Sequence, residues 1–357
     1  MKLDLKKHLM EMISAPGPSG FEAPIREIIQ AAWEPYADET RVNNLGSLVA
    51  IQRGEGAEPR PSVMIAAHMD AIGLMVTGID NGFLRFTQVG GVDPRILPGQ
   101  MVTVHATNAG ATRALPAMVV MPPAFLLPKD GKTGILPQKY LLADTGLEPD
   151  EVRKLVRVGD VISFATEPVE LNSECISGHT LDNRASVAAV TVALAMLSKR
   201  KHLWDVMAVA TAQEEVGGIG AMVDAVAIKP DFAIVIDVTF AKAPGGAGIG
   251  NFELGKVTPL TWGSCNHPAL HQAMVDIAEE FEINVAKELA PKGSWTDAWD
   301  IQVAEAGVPV AELAIPLRYM HTPVEVVSLK DVRRAGRLMA EFIAGLPLDF
   351  MKTVIWE

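Results

Sequence analysis

Several apolar runs in this chain stop at or just before a histidine or an acidic residue, and that placement most restricts the fold. Residues 63–67 lead directly into His68, and residues 206–212 lead through Gln213 into Glu214 and Glu215. Residues 232–236 end at Asp237, and the run 310–315 is followed a few residues later by His321. Short unbroken apolar runs bounded by turn signals read as strands buried on both faces. Between them lie helical patterns over 185–199, 220–227 and 268–282, and a last one over 328–346. Two more helices, over 3–13 and from Glu22 to about Trp33, flank the breaker Ala15-Pro16-Gly17-Pro18-Ser19-Gly20. The alternation predicts an α/β fold with a mainly parallel sheet covered on both faces. In such sheets ligands gather at the carboxyl ends of the strands, which is where these residues fall.

The interval from His68 to Asp182 has a different texture. Gly82-Phe83-Leu84-Arg85-Phe86, Met101-Val102-Thr103-Val104 and Val161-Ile162-Ser163-Phe164 are short strand signals punctuated by glycine and proline. They predict a small β domain inserted over residues 71–165, leaving 1–70 and 166–357 to carry the candidate site residues. Neither an internal repeat nor a low-complexity tract interrupts this plan.

Bulk properties narrow the function classes. The chain has 357 residues, 49% of them apolar, with a mean hydropathy of +0.21. That is enough for two domains and a large core, and it points to a broad subunit interface. A net charge of -12 and a pI near 5.2 argue against nucleic acid or anionic membrane as partners. Cys175 and Cys265 are the two cysteines, so no disulfide framework is expected and a reducing, cytoplasmic setting fits. Lys2, Asp4, Lys6 and Lys7 interrupt the first apolar residues, so a secretory leader is not expected. The apolar stretch 185–197 falls short of the roughly 20 residues a membrane span needs, and it reads as a buried helix.

The candidates have metal-site chemistry. His68, Asp182, Glu215, Asp237 and His321 make the donor set of two hydrolytic divalent ions sharing one carboxylate. Asp70 would point to the same side as His68 in an extended segment and suits holding its tautomer. Glu214 and Glu215 repel each other unless a positive charge lies between them, and Asp237 at the end of an apolar strand is costly unless solvated or paired. Ordinary readings stand beside these. Asp182 is also a favourable acid at a helix start, the two glutamates also a solvated loop pair, and His68 and His321 also satisfied structural histidines. Gly217, Gly218 and Gly220 do not match the spacing of a phosphate loop and read as a tight turn near a crowded site.

At this point the sequence resembles family forty-two of the metallopeptidases, the glutamyl or TET-type aminopeptidases, often labelled endoglucanase M. The matching motifs are Ala15-Pro16-Gly17-Pro18-Ser19-Gly20, Ala67-His68-Met69-Asp70, Leu181-Asp182-Asn183-Arg184, Glu214-Glu215-Val216-Gly217, Asp237-Val238-Thr239 and Arg318-Tyr319-Met320-His321-Thr322-Pro323-Val324-Glu325. The resemblance spans nearly the whole chain. It implies a phosphorylase/hydrolase-like catalytic domain split by a PDZ-like dimerisation domain, and two zinc or cobalt ions, with manganese a further option. By motif match Asp182 bridges, His68 and Asp237 complete one ion's site, and Glu215 and His321 complete the other. Glu214 is then the general base and Asp70 the residue that orients His68. The resemblance also implies trimming of short peptides by a tetrahedral homododecamer built from dimers. Residues around Thr296, Asp297 and 315–318 are the guesses for the side-chain pocket.

Ala71 stands where members often have Glu, Ala124 follows the paired prolines where a His is common, and Trp299 replaces a smaller residue. These departures bear on substrate preference and assembly rather than on the ligand set. Rival readings are a two-metal deacylase or carboxypeptidase acting on N-acyl amino acids, and a catalytically silent shell subunit. A glycosidase needs two carboxylates flanking a sugar bond, which this ligand set does not provide.

Overall fold

Side chains alternate across the strand Ser62–His68, and the alternation assigns each to one side of the sheet. Val63, Ile65 and Ala67 join one apolar core, while Met64 and Ala66 join the other. In this computed structural model, which describes residues 3–123, 125–127, 136–244 and 252–356, four such strands form the centre of the main sheet. In spatial order they are Asp205–Thr211, Ser62–His68, Phe232–Phe240 and Val310–Arg318, all mutually parallel. Helices Leu5–Ser14, Ala23–Trp33, Leu181–Leu197, Pro268–Glu280 and Leu329–Gly345 cover one face. Ile219–Ile228 and Asp297–Gln302 cover the other.

The four central strands are parallel, but the whole sheet is mixed. Leu48–Gln52 and Glu39–Val42 add antiparallel strands at one edge. Glu325–Ser328, Cys175–Gly178 and Val169–Glu170 add three at the other. Thr258–Gly263 pairs antiparallel with Val310–Arg318 and parallel with Val285–Ala290. These flanking strands are short and lack the long apolar runs of the centre.

Within the interval expected to be an insert, six strands close into a separate antiparallel barrel. They are Gly73–Asp80, Phe83–Val89, Leu142–Asp144, Arg113–Val120, Met101–Ala106 and Val161–Phe164. Leu74, Val76, Leu84, Val102, Val104, Val119 and Ile162 fill its own core. Ala124 lies outside the described residues. Among the described residues no helix is long and apolar enough to cross a membrane.

Arg184 ties the breaker segment to the sheet. Its guanidinium is fully buried and donates to the carbonyls of Met12 at 2.6 Å, Ala15 at 2.5 Å and Met69 at 3.3 Å. A Cβ on Gly17 would meet the Arg184 Nη2 at 2.7 Å, so the second residue of the Pro-Gly-Pro stretch must be glycine for that approach.

Helices Leu181–Leu197 and Leu329–Gly345 press together at Gly336, where a Cβ would lie 2.5 Å from the Ala189 carbonyl oxygen and 2.7 Å from Val192 Cβ. Gly336→Val is therefore expected to destabilise the fold by about 1–3 kcal/mol. The urea midpoint at fixed protein concentration checks this, and an unchanged midpoint would show that the two helices do not meet there.

Candidate metal centre

The centre is assembled at the carboxyl edge of the parallel strands. His68 ends its strand, and the register that sets Val235 opposite Ala66 brings Asp237 level with His68 on the neighbouring strand. Thr211 pairs with His68 on the other side, and two residues later the chain turns to present Glu214 and Glu215. Asp182 and Asn183 take non-helical backbone angles at the start of Leu181–Leu197, and the peptide bond between them is cis. His321 sits in the turn between Val310–Arg318 and Glu325–Ser328. Thr180, Gln213, Tyr319 and His321 all have φ between 59 and 69°. Non-glycine residues in left-handed backbone cost on the order of 1–3 kcal/mol each, so the segments presenting Asp182, Glu214 and His321 are held there by their surroundings.

All six expected residues come together. One oxygen of Asp182 is 3.3 Å from His68 Nε2, and the other is 3.4 Å from His321 Nε2. Asp237 and Glu214 each bring an oxygen to 3.8 Å from His68 Nε2, and Glu215 brings one to 3.3 Å from His321 Nε2. Both imidazoles use Nδ1 elsewhere. That of His321 is 3.0 Å from the Gly91 carbonyl oxygen, and that of His68 is 3.2 Å from the Asp70 carbonyl oxygen. A proton on each Nδ1 leaves a lone pair on each Nε2, directed at the carboxylates.

Two buried carboxylates hold the frame. Asp70 accepts the backbone N–H groups of Glu214 at 3.0 Å and Glu215 at 3.2 Å, and the Ser19 hydroxyl at 2.5 Å. Its Oδ1 lies 3.5 Å from His68 Nδ1. Glu325 accepts the N–H of Asp182 at 3.1 Å and that of His321 at 2.9 Å. Sequence reasoning gave Asp70 a place but assigned none to Glu325, although an acid at the head of Glu-Val-Val-Ser was a readable signal. Asp297, named only as a guess for the substrate pocket, is buried behind Thr211, whose hydroxyl it accepts at 2.5 Å. Of the other guesses, residues 315–318 form the end of Val310–Arg318.

The electrostatics are those of a site short of positive charge. Burial pushes the Glu214 carboxyl up to about 8, with Asp297, Glu215 and Asp70 adding to the effect against the pull of His68. Burial likewise raises Glu215, and it raises Asp237 well above the usual carboxylate range. Burial alone would lower His68, but Glu214, Asp182 and Asp70 around it hold it well above its ordinary value. Asp182 and Glu215 hold His321 up at about 11. Desolvation would raise Asp182, yet His321 and His68 keep it far below its ordinary value. The imidazoles thus occupy places where the carboxylates draw a positive charge, and a metal cation answers the same demand better than a proton.

The donor set fits that role. His68, Glu214 and Asp237 form one group and Asp182, Glu215 and His321 a second, with the donor atoms of each group within 4.8 Å of one another. Nitrogen and oxygen donors without sulfur suit a hydrolytic divalent ion.

Comparison with known proteins agrees with this chemistry. A family model described as M42 glutamyl aminopeptidase matches residues 46–338. The lysyl aminopeptidase of Pyrococcus furiosus is 34% identical over 96% of this chain and 98% of its own length. The TET aminopeptidase of the marine sediment archaeon Thaumarchaeota archaeon SCGC AB-539-E09 superposes with a TM-score of 0.91 at 30% identity, covering 98% of this chain and 99% of that one. The Pyrococcus horikoshii TET1 peptidase, which can assemble into a tetrahedron or a large octahedral shell, gives a TM-score of 0.83 at 30% identity, covering 96% of this chain and 100% of its own.

The shifted groups set a pH dependence for the metal-free protein. A group whose folded pKa exceeds its unfolded value stabilises the fold fully below the unfolded value and loses that contribution as pH rises through the folded one. For His321 the window runs from 6.5 to about 11, and for Glu214 from 4.5 to about 8. Asp182 acts in the opposite sense, losing its contribution only as pH falls below its ordinary 3.8. The melting temperature of chelated protein should therefore fall as pH rises from 6.5 toward 9. Cation binding should release protons, read by calorimetry in buffers of different ionisation enthalpy. A proton count of zero at pH 7 would contradict this account.

Proposed function

We propose that this chain, which belongs to the M42 glutamyl aminopeptidase family, removes residues from the free amino ends of short peptides at a two-cation centre. The observation that carries the reading is Asp182, whose two oxygens face the Nε2 atoms of two different histidines at 3.3 and 3.4 Å. Asp182 would be shared, with His68 and Asp237 completing one cation site and Glu215 and His321 the other. When bound, the cations supply Lewis acidity, making water more acidic and the scissile carbonyl more electrophilic. Zinc or cobalt suits these donors, and manganese is a further option.

Glu214 is the general base in this reading. Its carboxyl is largely buried and 3.8 Å from His68 Nε2, so it stands beside the cation site and can take the proton of the attacking water. The same carboxyl then returns the proton to the departing amine. Its pKa, pushed up to about 8 before any cation is bound, moves down when a cation arrives, into the range where base and acid forms interchange near neutrality. Asp70 positions both His68 and the backbone of Glu214 and Glu215.

The same proposal divides the chain into a phosphorylase/hydrolase-like catalytic domain, 1–70 and 166–357, and a PDZ-like dimerisation domain, 71–165. The closed barrel with its own core supports that division. It also has the protein self-associate through dimers toward a tetrahedral homododecamer in the cytoplasm. On helix Ile219–Ile228, Ile219, Met222, Val223 and Val226 are exposed at helical spacing with Val216 just ahead of them. An apolar stripe of this kind marks a surface made to be covered, here by a second copy.

Chelated protein should regain turnover of aminoacyl p-nitroanilides when zinc, cobalt or manganese is restored, and should leave the N-acetylated anilides intact. Release of acetate from the acetylated compounds without p-nitroaniline would instead mark a deacylase. Glu214→Gln should lower kcat by about 10²–10⁴ with cation stoichiometry retained, and near-normal turnover would remove Glu214 from the mechanism. Light scattering should give a multiple of the chain mass that drops on pairing Met222→Glu with Val226→Glu, while an unchanged mass would place the interface elsewhere.

A further inference from the structure

Past the end of strand Asp205–Thr211, four successive backbone N–H groups find their partners in side chains rather than in the sheet. Ala212 donates to the buried Ser47 hydroxyl at 3.2 Å and Gln213 to Glu22 at 3.2 Å. Glu214 and Glu215 donate to Asp70 at 3.0 and 3.2 Å. The mechanism uses Asp70 and leaves Glu22 without a role, although a carboxyl group only 3% exposed is costly to keep in the fold.

Glu22 reaches this corner from the breaker segment. One oxygen, Oε1, accepts the N–H of Gly20 at 2.6 Å and that of Gln213 at 3.2 Å. Both donors lie in left-handed backbone, with φ of 84° at Gly20 and 62° at Gln213. Glycine adopts that conformation freely, whereas glutamine is held in it only by its surroundings. The bond to Glu22 is such a restraint, and it acts one residue before Glu214. The restraining side is itself anchored. Ser19 donates its hydroxyl to Asp70 at 2.5 Å and its N–H to the Ala71 carbonyl at 3.2 Å. Glu22 immediately precedes helix Ala23–Trp33, whose Ile25, Ile29 and Trp33 are buried in the main core. Burial raises the Glu22 carboxyl, with the charge of Asp70 adding to the rise, while the N–H groups of Gly20 and Gln213 pull it back.

We propose that Glu22 is a positioning residue for the reaction: it holds Gln213 in left-handed backbone and so sets the direction in which Glu214 presents its carboxyl group. Asp70 fixes the N–H groups of Glu214 and Glu215, and the attachment one residue earlier removes the rotation still open about them. The proposal rests on the aminopeptidase reading, in which Glu214 carries the proton. Glu22 touches neither the ligand set nor any group placed on the substrate, so its loss acts on kcat rather than on KM or cation content. Because a single oxygen takes both bonds, the place of that oxygen matters and the charge of the carboxylate does not.

The test measures kcat and KM with aminoacyl p-nitroanilides on cation-loaded protein, with bound-cation content and melting temperature determined alongside. Glu22→Ala should lower kcat by about 100-fold, the cost of displacing a reacting group by about 1 Å, with KM and cation content little changed. Glu22→Gln keeps the oxygen and should keep most of the rate. Glu22→Asp keeps the charge but draws the oxygen back by one methylene, and should lose more than Glu22→Gln. Two combinations separate positioning from a loss of general stability. Added to Glu214→Gln, Glu22→Ala should cost almost nothing further, since it acts through the group already removed. Added to Glu22→Ala, Gln213→Gly should recover part of the lost rate, because glycine takes the left-handed backbone unaided. Wild-type kcat in Glu22→Ala overturns the proposal, as does a loss that multiplies with that of Glu214→Gln, or a Glu22→Asp variant faster than Glu22→Gln. The aminopeptidase reading survives all three results. Should Glu22→Ala fail to fold, the order of the glutamine and aspartate variants decides. Wild-type protein inert toward every anilide with every cation removes the aminopeptidase reading and this inference with it.

Discussion

The Asp70 carboxylate is the interaction on which the centre depends. It is wholly buried and makes no lysine or arginine ion pair among the described residues, although the buried Arg184 guanidinium senses its charge. Its load is carried instead by two backbone N–H groups, one hydroxyl and the neighbouring His68 ring. Each of these bonds fixes something different: the corner that presents Glu214 and Glu215, the breaker segment at Ser19, and the tautomer of His68. Burial works against the charge, but the sum of these bonds keeps Asp70 below its ordinary value. Glu325 performs the parallel task on the far side, clamping the backbone of Asp182 and His321 together. Two acids that hold no cation themselves thus set the geometry of those that would.

The inserted barrel enters the same geometry. Its Gly90-Gly91 turn lies against the centre, where the Gly91 carbonyl meets His321 Nδ1 at 3.0 Å. A Cβ on Gly90 would come within 3.3 Å of Glu215 Cβ. One tautomer choice at the carboxyl edge of the main sheet is therefore made by a carbonyl of a structurally separate barrel. A shift of the barrel would alter His321 as well as any surface between subunits.

What the sequence disclosed follows from where burial leaves a pattern. The four central strands are apolar on both sides, so 63–67, 206–212, 232–236 and 310–315 stood out, and the polar residues ending them marked the reactive edge. The main helices were equally legible from their periodicity. Leu48–Gln52, Cys175–Gly178 and Glu325–Ser328 were not, because short strands at the flanks draw their stability from pairing with neighbours that sequence does not reveal. Asp182 read equally well as a helix-starting acid, since its non-helical backbone is dictated by Glu325 and the two histidines rather than by local preference. Asp297 was hidden in the same way, behind the ordinary appearance of an acid in the first turn of Asp297–Gln302.

Two neighbouring groups of acids are then satisfied differently, and geometry separates them. Around Asp182 six side chains bring donor atoms into two groups, each within 4.8 Å, and the histidines offer nitrogen lone pairs that suit a metal ion. Around Glu312 the partners are hydroxyls and an amide, which satisfy a carboxyl group by hydrogen bonds but are weak ligands for zinc. The strand step from Asp237 to Thr239 joins the two, so the metal-ligand edge and this acidic corner share one strand.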